Sequence, residues 1–400
     1  MKSPKPSVRG QRSPPSPIRK LYPYANVARS RGTQIYHLNI GQPDILSPPE
    51  FFEGVRQFKA EIVAYEPARG SDLLCNNWSS YMNRSLGLST SQEQFVITHG
   101  ASEALLLVFA ACCDAQDEIV VFNPTYANYL GLGSILEVKL RPVNSLIENN
   151  FALPCDSEIR AALNSKTRAI LLCNPNNPTG TIYSREEVLR LLALCHERGI
   201  FLVIDEAYRD FVYDEALPFS ALHLAPNDPH LIIVDSLSKR FSLCGARIGC
   251  AISSNIELVD AIHRMAQARL SVSSLDQFAC AYMLERISDD FGHRVRSEYQ
   301  IRRDVLYGGL SQIPGVLAHK PQGAFYTIVG LPVDDGEKFA IYMLEKFNLR
   351  GATTFVAPAA GFYIDVDKGQ NEVRIAYVLK SIEITAALEC LAVGLASYSA

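Results

Sequence analysis

Between about residues 95 and 255 the chain alternates short, nearly continuous apolar runs with helical patterns. The runs cover residues 95–97, 119–122, 169–173, 201–204, 231–234 and 249–252. Each has the length of a strand and is apolar throughout, as strands buried on both faces are. Residues 101–115 and 185–198 have helical composition, and Ser184 with Glu187 makes a capping box at the start of the second. The alternation predicts an α/β fold, with an open, mostly parallel sheet covered by helices. The chain shows no internal repeat.

After about residue 290 the pattern changes. Residues 325–329, 354–356 and 372–376 are spaced like strands of a smaller α+β unit, with helices near 337–347 and 381–397. Four hundred residues exceed one typical domain. The expected division is a basic, proline-rich arm (1–20), a large domain (50–290), and a small domain made of 21–49 with 291–400. The arm carries Lys2, Lys5, Arg9, Arg12, Arg19 and Lys20, no acid, and five prolines. It lacks the apolar segment of a secretory signal. The first expectation is a mobile arm; a lid over an active site is the second. A transit peptide ranks last, because the prolines oppose an amphipathic helix.

Composition removes several function classes. A net charge of -4 gives no reason to expect nucleic acid or an acidic membrane as partner. There is no run of 18 apolar residues to span a bilayer. The eight histidines show no ligand spacing, so no metal is expected. The ten cysteines form no C-x-x-C pair, although Cys112 and Cys113 are adjacent. Most are expected to be reduced core residues of a cytoplasmic protein.

In parallel sheets a ligand binds at the carboxyl ends of the strands, and the polar residues of this chain fall there. His99-Gly100-Ala101-Ser102 follows the first run, and Asn123-Pro124-Thr125-Tyr126 the second. Asn174 to Gly180 follows the third, Asp205-Glu206-Ala207-Tyr208 the fourth, and Ser236-Leu237-Ser238-Lys239 the fifth. A lysine at the end of a buried strand, beside hydroxyls and Arg247, suits a Schiff base to a carbonyl and a held phosphate. Pyridoxal phosphate carries both groups.

Each motif alone has a plainer reading. Lys239 could be a surface lysine beside a turn. Gly100-Ala101-Ser102 opens a helix whose free N–H groups favour phosphate, but many helices begin this way. Asp205 could pair with a pyridinium nitrogen or cap a helix; Tyr126 could stack on a ring or simply pack. Arg374 lies in an apolar strand, where either a substrate carboxylate or a structural acid would satisfy it. Asn123-Pro124 and Asn177-Pro178 are candidates for cis peptide bonds, against a default of trans.

Together the motifs resemble the fold-type I, pyridoxal-phosphate-dependent aminotransferases of class I/II, from about Tyr36 to the C-terminus. The resemblance rests on Leu38 to Asp44, Tyr65 with Gly70, Gly100-Ala101-Ser102, Asn123 to Tyr126, Asn177-Pro178-Thr179-Gly180, Asp205 to Tyr208, Ser236 to Lys239, Arg247 and Arg374. It implies a cofactor held on Lys239, with Asp205 against the ring nitrogen. Tyr208 and Asn177 would bind the ring oxygen, and Tyr126 would stack on the ring. Gly100, Ala101, Ser102, Ser236, Ser238 and Arg247 would surround the phosphate. Tyr65 would reach the phosphate of a neighbouring subunit in a homodimer with shared active sites. Arg374 would clamp the substrate α-carboxylate, with Asn177 and the Gly41 backbone close by. The implied reaction moves an amino group between an L-amino acid and a 2-oxo acid by a ping-pong route; an amino-acid lyase or cyclase on the same fold is the alternative. Two departures stand out. Ser71-Asp72-Leu73 follows Gly70, where the family usually has Leu-Arg. Ser102-Glu103 stands where aspartate-using members often have a lysine, leaving Arg269 and the basic arm as candidates for a distal carboxylate.

Overall fold

A computed structural model describes residues 3–398. Lys2 of the basic arm lies outside these residues, as does the side chain of Arg12. Strand β1 (Gln34–His37) precedes the main sheet. That sheet contains β2 (Phe95–His99), β3 (Glu118–Asn123), β4 (Lys139–Asn144), β5 (Thr167–Cys173), β6 (Phe201–Asp205), β7 (Leu231–Ser236) and β8 (Ile248–Ser253). Then come β9 (Leu317–Ala318), β10 (Tyr326–Gly330), β11 (Ala352–Phe355), β12 (Ala357–Pro358) and β13 (Glu372–Ala376).

The main sheet has the order β2-β8-β7-β6-β5-β3-β4. Every neighbouring pair is parallel except those of β8, which runs antiparallel to β2 and β7. Side chains alternate across it with period two. Ile170, Leu172, Leu202, Ile204 and Ile233 enter one core, and Ala169, Leu171, Val203, Ile232 and Val234 enter another. This explains the unbroken apolar runs, since both faces are covered. The helix Arg185–Arg198 covers the first face with Val188, Leu191 and Leu192. The helices Gly100–Cys112 and Ile256–Gln267 cover the second with Val108, Phe109 and Ile262.

Six of the seven strands match the predicted runs; β4 was missed. It is the edge strand, half exposed, and it contains Pro142. An edge position tolerates the missing N–H of proline and needs no continuous apolar run. The capping box at Ser184 is present, with mutual bonds of 2.7 and 3.2 Å to Glu187.

A second, antiparallel sheet has the order β12-β13-β10-β9. The run at 354–356 lies outside it. Strand β11 instead pairs in parallel with β1, Gln34 opposite Ala352, and the chain joins the four-stranded sheet only at β12. Thus residues before 50 are tied to residues after 290. The helices Gly336–Glu345 and Ser381–Ser397 lie near their expected places.

The arm, largely exposed from residue 3 to 15, touches the rest of the chain at three points. A short helix, Val8–Arg12, brings Arg9 within 2.8 Å of Glu137. Lys20 pairs with Glu337. Pro17 packs on Gly361 so closely that a Cβ on that glycine would lie 2.3 Å from the Pro17 Cβ. Six of the ten cysteines are buried, and all ten are free thiols.

Candidate active site

Five main-sheet strand ends converge on a cavity of about 130 Å³. Ala101 and Ser102, Tyr126, Asn177, Asp205 and Tyr208, and Ser236, Ser238, Lys239 and Arg247 all line it. The structure therefore brings together ten residues picked from separate motifs.

Lys239 sits on the one-turn helix Leu237–Arg240 that follows β7. Its Nζ donates to the Gly41 carbonyl at 2.9 Å. Gly41 admits no side chain, because a Cβ would lie 1.7 Å from the Tyr326 hydroxyl. Asp205 ends β6 and is 4% exposed. Its carboxylate accepts from the Tyr129 hydroxyl at 2.7 Å and from the Ala207 N–H at 3.1 Å. Both donors are neutral, and burial raises its pKa above the ordinary aspartate value.

Ser236 and Ser238 form a compact hydroxyl pair. Ser236 Oγ donates to Ser238 Oγ at 2.9 Å and accepts the Ser238 N–H at 3.1 Å. Opposite them the helix Gly100–Cys112 starts, with Ala101 and Ser102 in its first turn. The exposed Arg247 donates to the His99 and Cys244 carbonyls, each at 3.3 Å. Its φ is +55°, a conformation that costs energy for a residue with a side chain and recurs at ligand sites. Two glycines make the close approach workable. A Cβ on Gly100 would lie 2.7 Å from the Arg247 guanidinium, and one on Gly249 would lie 2.4 Å from the Gly100 carbonyl carbon.

Arg374, in β13, is 1% exposed. It donates to the Asn39 carbonyl at 2.9 Å and to Asn177 Oδ1 at 3.3 Å. Tyr326 and Phe362 face its guanidinium at 4.5 and 4.8 Å. Its Nε has no partner, and burial lowers its pKa. Asn177 Nδ2 donates to the Tyr208 hydroxyl at 3.3 Å, which meets the Tyr326 hydroxyl at 3.0 Å. One chain of polar contacts therefore runs from Arg374 through Asn177 to Tyr208. Burial holds the Tyr208 phenol in its neutral form, well above the usual tyrosine range.

Behind this surface lies a buried ion network. Arg209 bridges Glu206 at 2.9 Å and Asp235 at 3.1 Å. Arg240, next to Lys239, reaches Asp210 at 2.9 Å and also pairs with Asp235. The network ties the segment after β6 to the end of β7.

Some expectations fall elsewhere. Tyr65 is 79% exposed and does not line the cavity. Arg269 is engaged locally: its Nε meets both Glu103 oxygens at 3.1 and 3.2 Å, and its other nitrogens donate to the Ala68, Ile97 and Leu270 carbonyls. Asn123-Pro124 is cis, but the second cis bond is Asn174-Pro175 rather than Asn177-Pro178. Sequence reasoning gave no role to Asn39, Tyr129, Tyr326 or Phe362. Tyr129 was findable, since it lies three residues after Tyr126 on the way into a helix. Tyr326 was read only as part of a strand, and nothing local marks its inward face. Among the described residues no group of His, Cys, Asp and Glu could hold a metal ion, and no helix is long and apolar enough to cross a membrane.

Comparison with known proteins gives a consistent set of matches. The family profile "Aminotransferase class I and II" matches residues 33–391. The aspartate/prephenate aminotransferase of Thermus thermophilus is 30% identical, covering 93% of this chain and 96% of that one. The aspartate aminotransferase of Pyrococcus horikoshii is 27% identical over 93% of both chains. The solved alanine aminotransferase of Pyrococcus furiosus superposes with a TM-score of 0.90 at 26% identity, covering 98% of this chain and all of that one.

Proposed function

Because the chain belongs to the class I and II aminotransferases, we propose that its cofactor is pyridoxal phosphate, held on Lys239. The chain is an aminotransferase: it moves an amino group between an L-amino acid and a 2-oxo acid by a ping-pong route. Nothing among the relatives favours elimination or cyclisation.

One observation carries the cofactor assignment. Buried Arg374 and buried Asp205 are each hydrogen-bonded only to neutral groups, and neither makes an ion pair among the described residues. Buried charges in proteins are normally paired. A carboxylate-bearing substrate would complete Arg374, and a protonated ring nitrogen would complete Asp205. The two serines, the helix start and Arg247, packed around Gly100 and Gly249, suit a phosphate.

When bound, pyridoxal phosphate supplies an aldehyde that takes up the amino group and a ring that accepts electrons from Cα. Lys239 Nζ would hold that aldehyde, and the same amine would carry the Cα proton as a general base and acid. Asp205 keeps the ring nitrogen protonated. Tyr208 and Asn177 would hold the ring oxygen, and Tyr126 would offer its face to the ring. Arg374 orients the substrate α-carboxylate, and Asn177 couples that end of the site to Tyr208.

A second copy of the chain completes the active unit in this reading. Leu46, Ile62, Val63, Tyr65 and Leu270 are all at least 51% exposed. Large apolar side chains left exposed in this way suit an association surface. Tyr65 would reach the partner's phosphate from there. The division into 50–290 and 21–49 with 291–400 is proposed on the two separate sheets and the β1–β11 pairing. A cytoplasmic location is proposed with it. Sedimentation of the holoenzyme tests the dimer: a monomer with full turnover would exclude shared sites.

A further inference from the structure

A second cavity, of about 580 Å³, adjoins the first and shares Ser102, Leu105 and Tyr126 with it. Its volume is within the range usual for small-molecule sites, roughly 300–1,000 Å³. One wall is the arm, through Pro14, Pro15, Pro17 and Lys20. Gly361, Tyr363 and Val366 also line the cavity. The arm is fixed against that side, because Pro17 rests on Gly361, whose neighbour Phe362 stacks on Arg374.

We propose that the Pro14–Lys20 segment is a specificity wall, and that it selects amino acids with bulky, uncharged side chains over dicarboxylic ones. This rests on the aminotransferase reading with Arg374 as the α-carboxylate clamp. Among the described residues of the lining only Lys20 is charged, and Glu337 holds its amine. The other basic candidate, Arg269, is spent on Glu103 and three carbonyls. A second carboxylate placed against prolines and a valine meets no unpaired cation among the described lining residues to offset its desolvation. A leucine, methionine or phenylalanine side chain gains from burial there.

The test is a steady-state panel on the holoenzyme with L-phenylalanine, L-leucine, L-methionine, L-alanine, L-aspartate and L-glutamate. Two variants disturb the wall differently. Gly361→Ala places a methyl where Pro17 sits, and truncation of residues 1–15 removes Pro14 and Pro15. Wild type should favour a bulky apolar substrate over aspartate by about 10²-fold in kcat/KM. The phenylalanine-to-alanine ratio of kcat/KM should fall about tenfold in at least one variant. Preference for aspartate or glutamate in wild type overturns the proposal, and so does a ratio unmoved in both variants. If no amino acid in the panel is turned over by cofactor-loaded protein, the aminotransferase reading fails instead.

Discussion

Two arginines, Arg209 and Arg374, are each 1% exposed, yet they are satisfied in contrasting ways. Arg209 lies between two buried carboxylates, Glu206 and Asp235. Arg374 has two neutral acceptors and two aromatic faces, and no carboxylate within ion-pair distance among the described residues. The first belongs to a network of paired charges that ties the segments carrying Tyr208 and Lys239. The second keeps its charge available. With Arg374 read as the proposed carboxylate clamp, burial alone does not distinguish a structural arginine from one kept for a ligand; the charge of its partners does.

Four changes would break or sharpen this contrast. The largest effect is expected at the residue both regions serve. Lys239→Ala should lower turnover by at least about 10³-fold and abolish the absorbance band of lysine-bound cofactor, with the fold intact by circular dichroism. Arg209→Met should act on stability, because it strands two buried acids. Urea denaturation should show a loss of about 3–5 kcal/mol. Arg374→Leu should do the reverse. It leaves no buried acid behind, so stability should hold or rise, while kcat/KM should fall roughly 10²-fold with cofactor still bound. If Arg374→Leu unfolds the protein and Arg209→Met only slows it, the contrast is mistaken.

The smallest effect concerns pH. Burial raises the Asp205 pKa in the folded apoprotein. A carboxyl with a raised folded pKa contributes stability that is fully present below its unfolded pKa and lost as pH rises through the folded one. Above the ordinary aspartate range Asp205 therefore costs the apoprotein stability. The apoprotein of Asp205→Asn should be more stable than wild type at pH 7, and the gap should close as pH falls toward the ordinary aspartate range. Denaturation midpoints across pH, measured without cofactor, check this. The same variant should lose about 10²–10³-fold in turnover.

How much of this was legible in sequence depended on whether a feature was local. Lys239, Asp205, Asn177 and Tyr126 each sit just past a buried strand, so the run of apolar residues points to them. The parallel sheet was legible for the same reason, and β4 escaped because a half-exposed edge strand with Pro142 lacks that signature. The substrate end was harder to read. Asn39, Tyr326, Phe362 and Arg374 come from separate segments and meet only through β10 and β13 pairing and the loop before β13. Arg269 looked free in sequence and is not, since its acid partner is 166 residues away. The seating of Pro17 on Gly361 likewise needed both ends of the chain in place.

The most direct test is an absorbance titration of purified protein with pyridoxal phosphate. The account predicts a lysine-bound band in wild type that is absent in Lys239→Ala. An amino acid should convert it to the pyridoxamine form, and a 2-oxo acid should restore it. A wild-type spectrum identical to that of Lys239→Ala, or a band that no amino acid converts, would contradict the assignment of Lys239 and the charges around it.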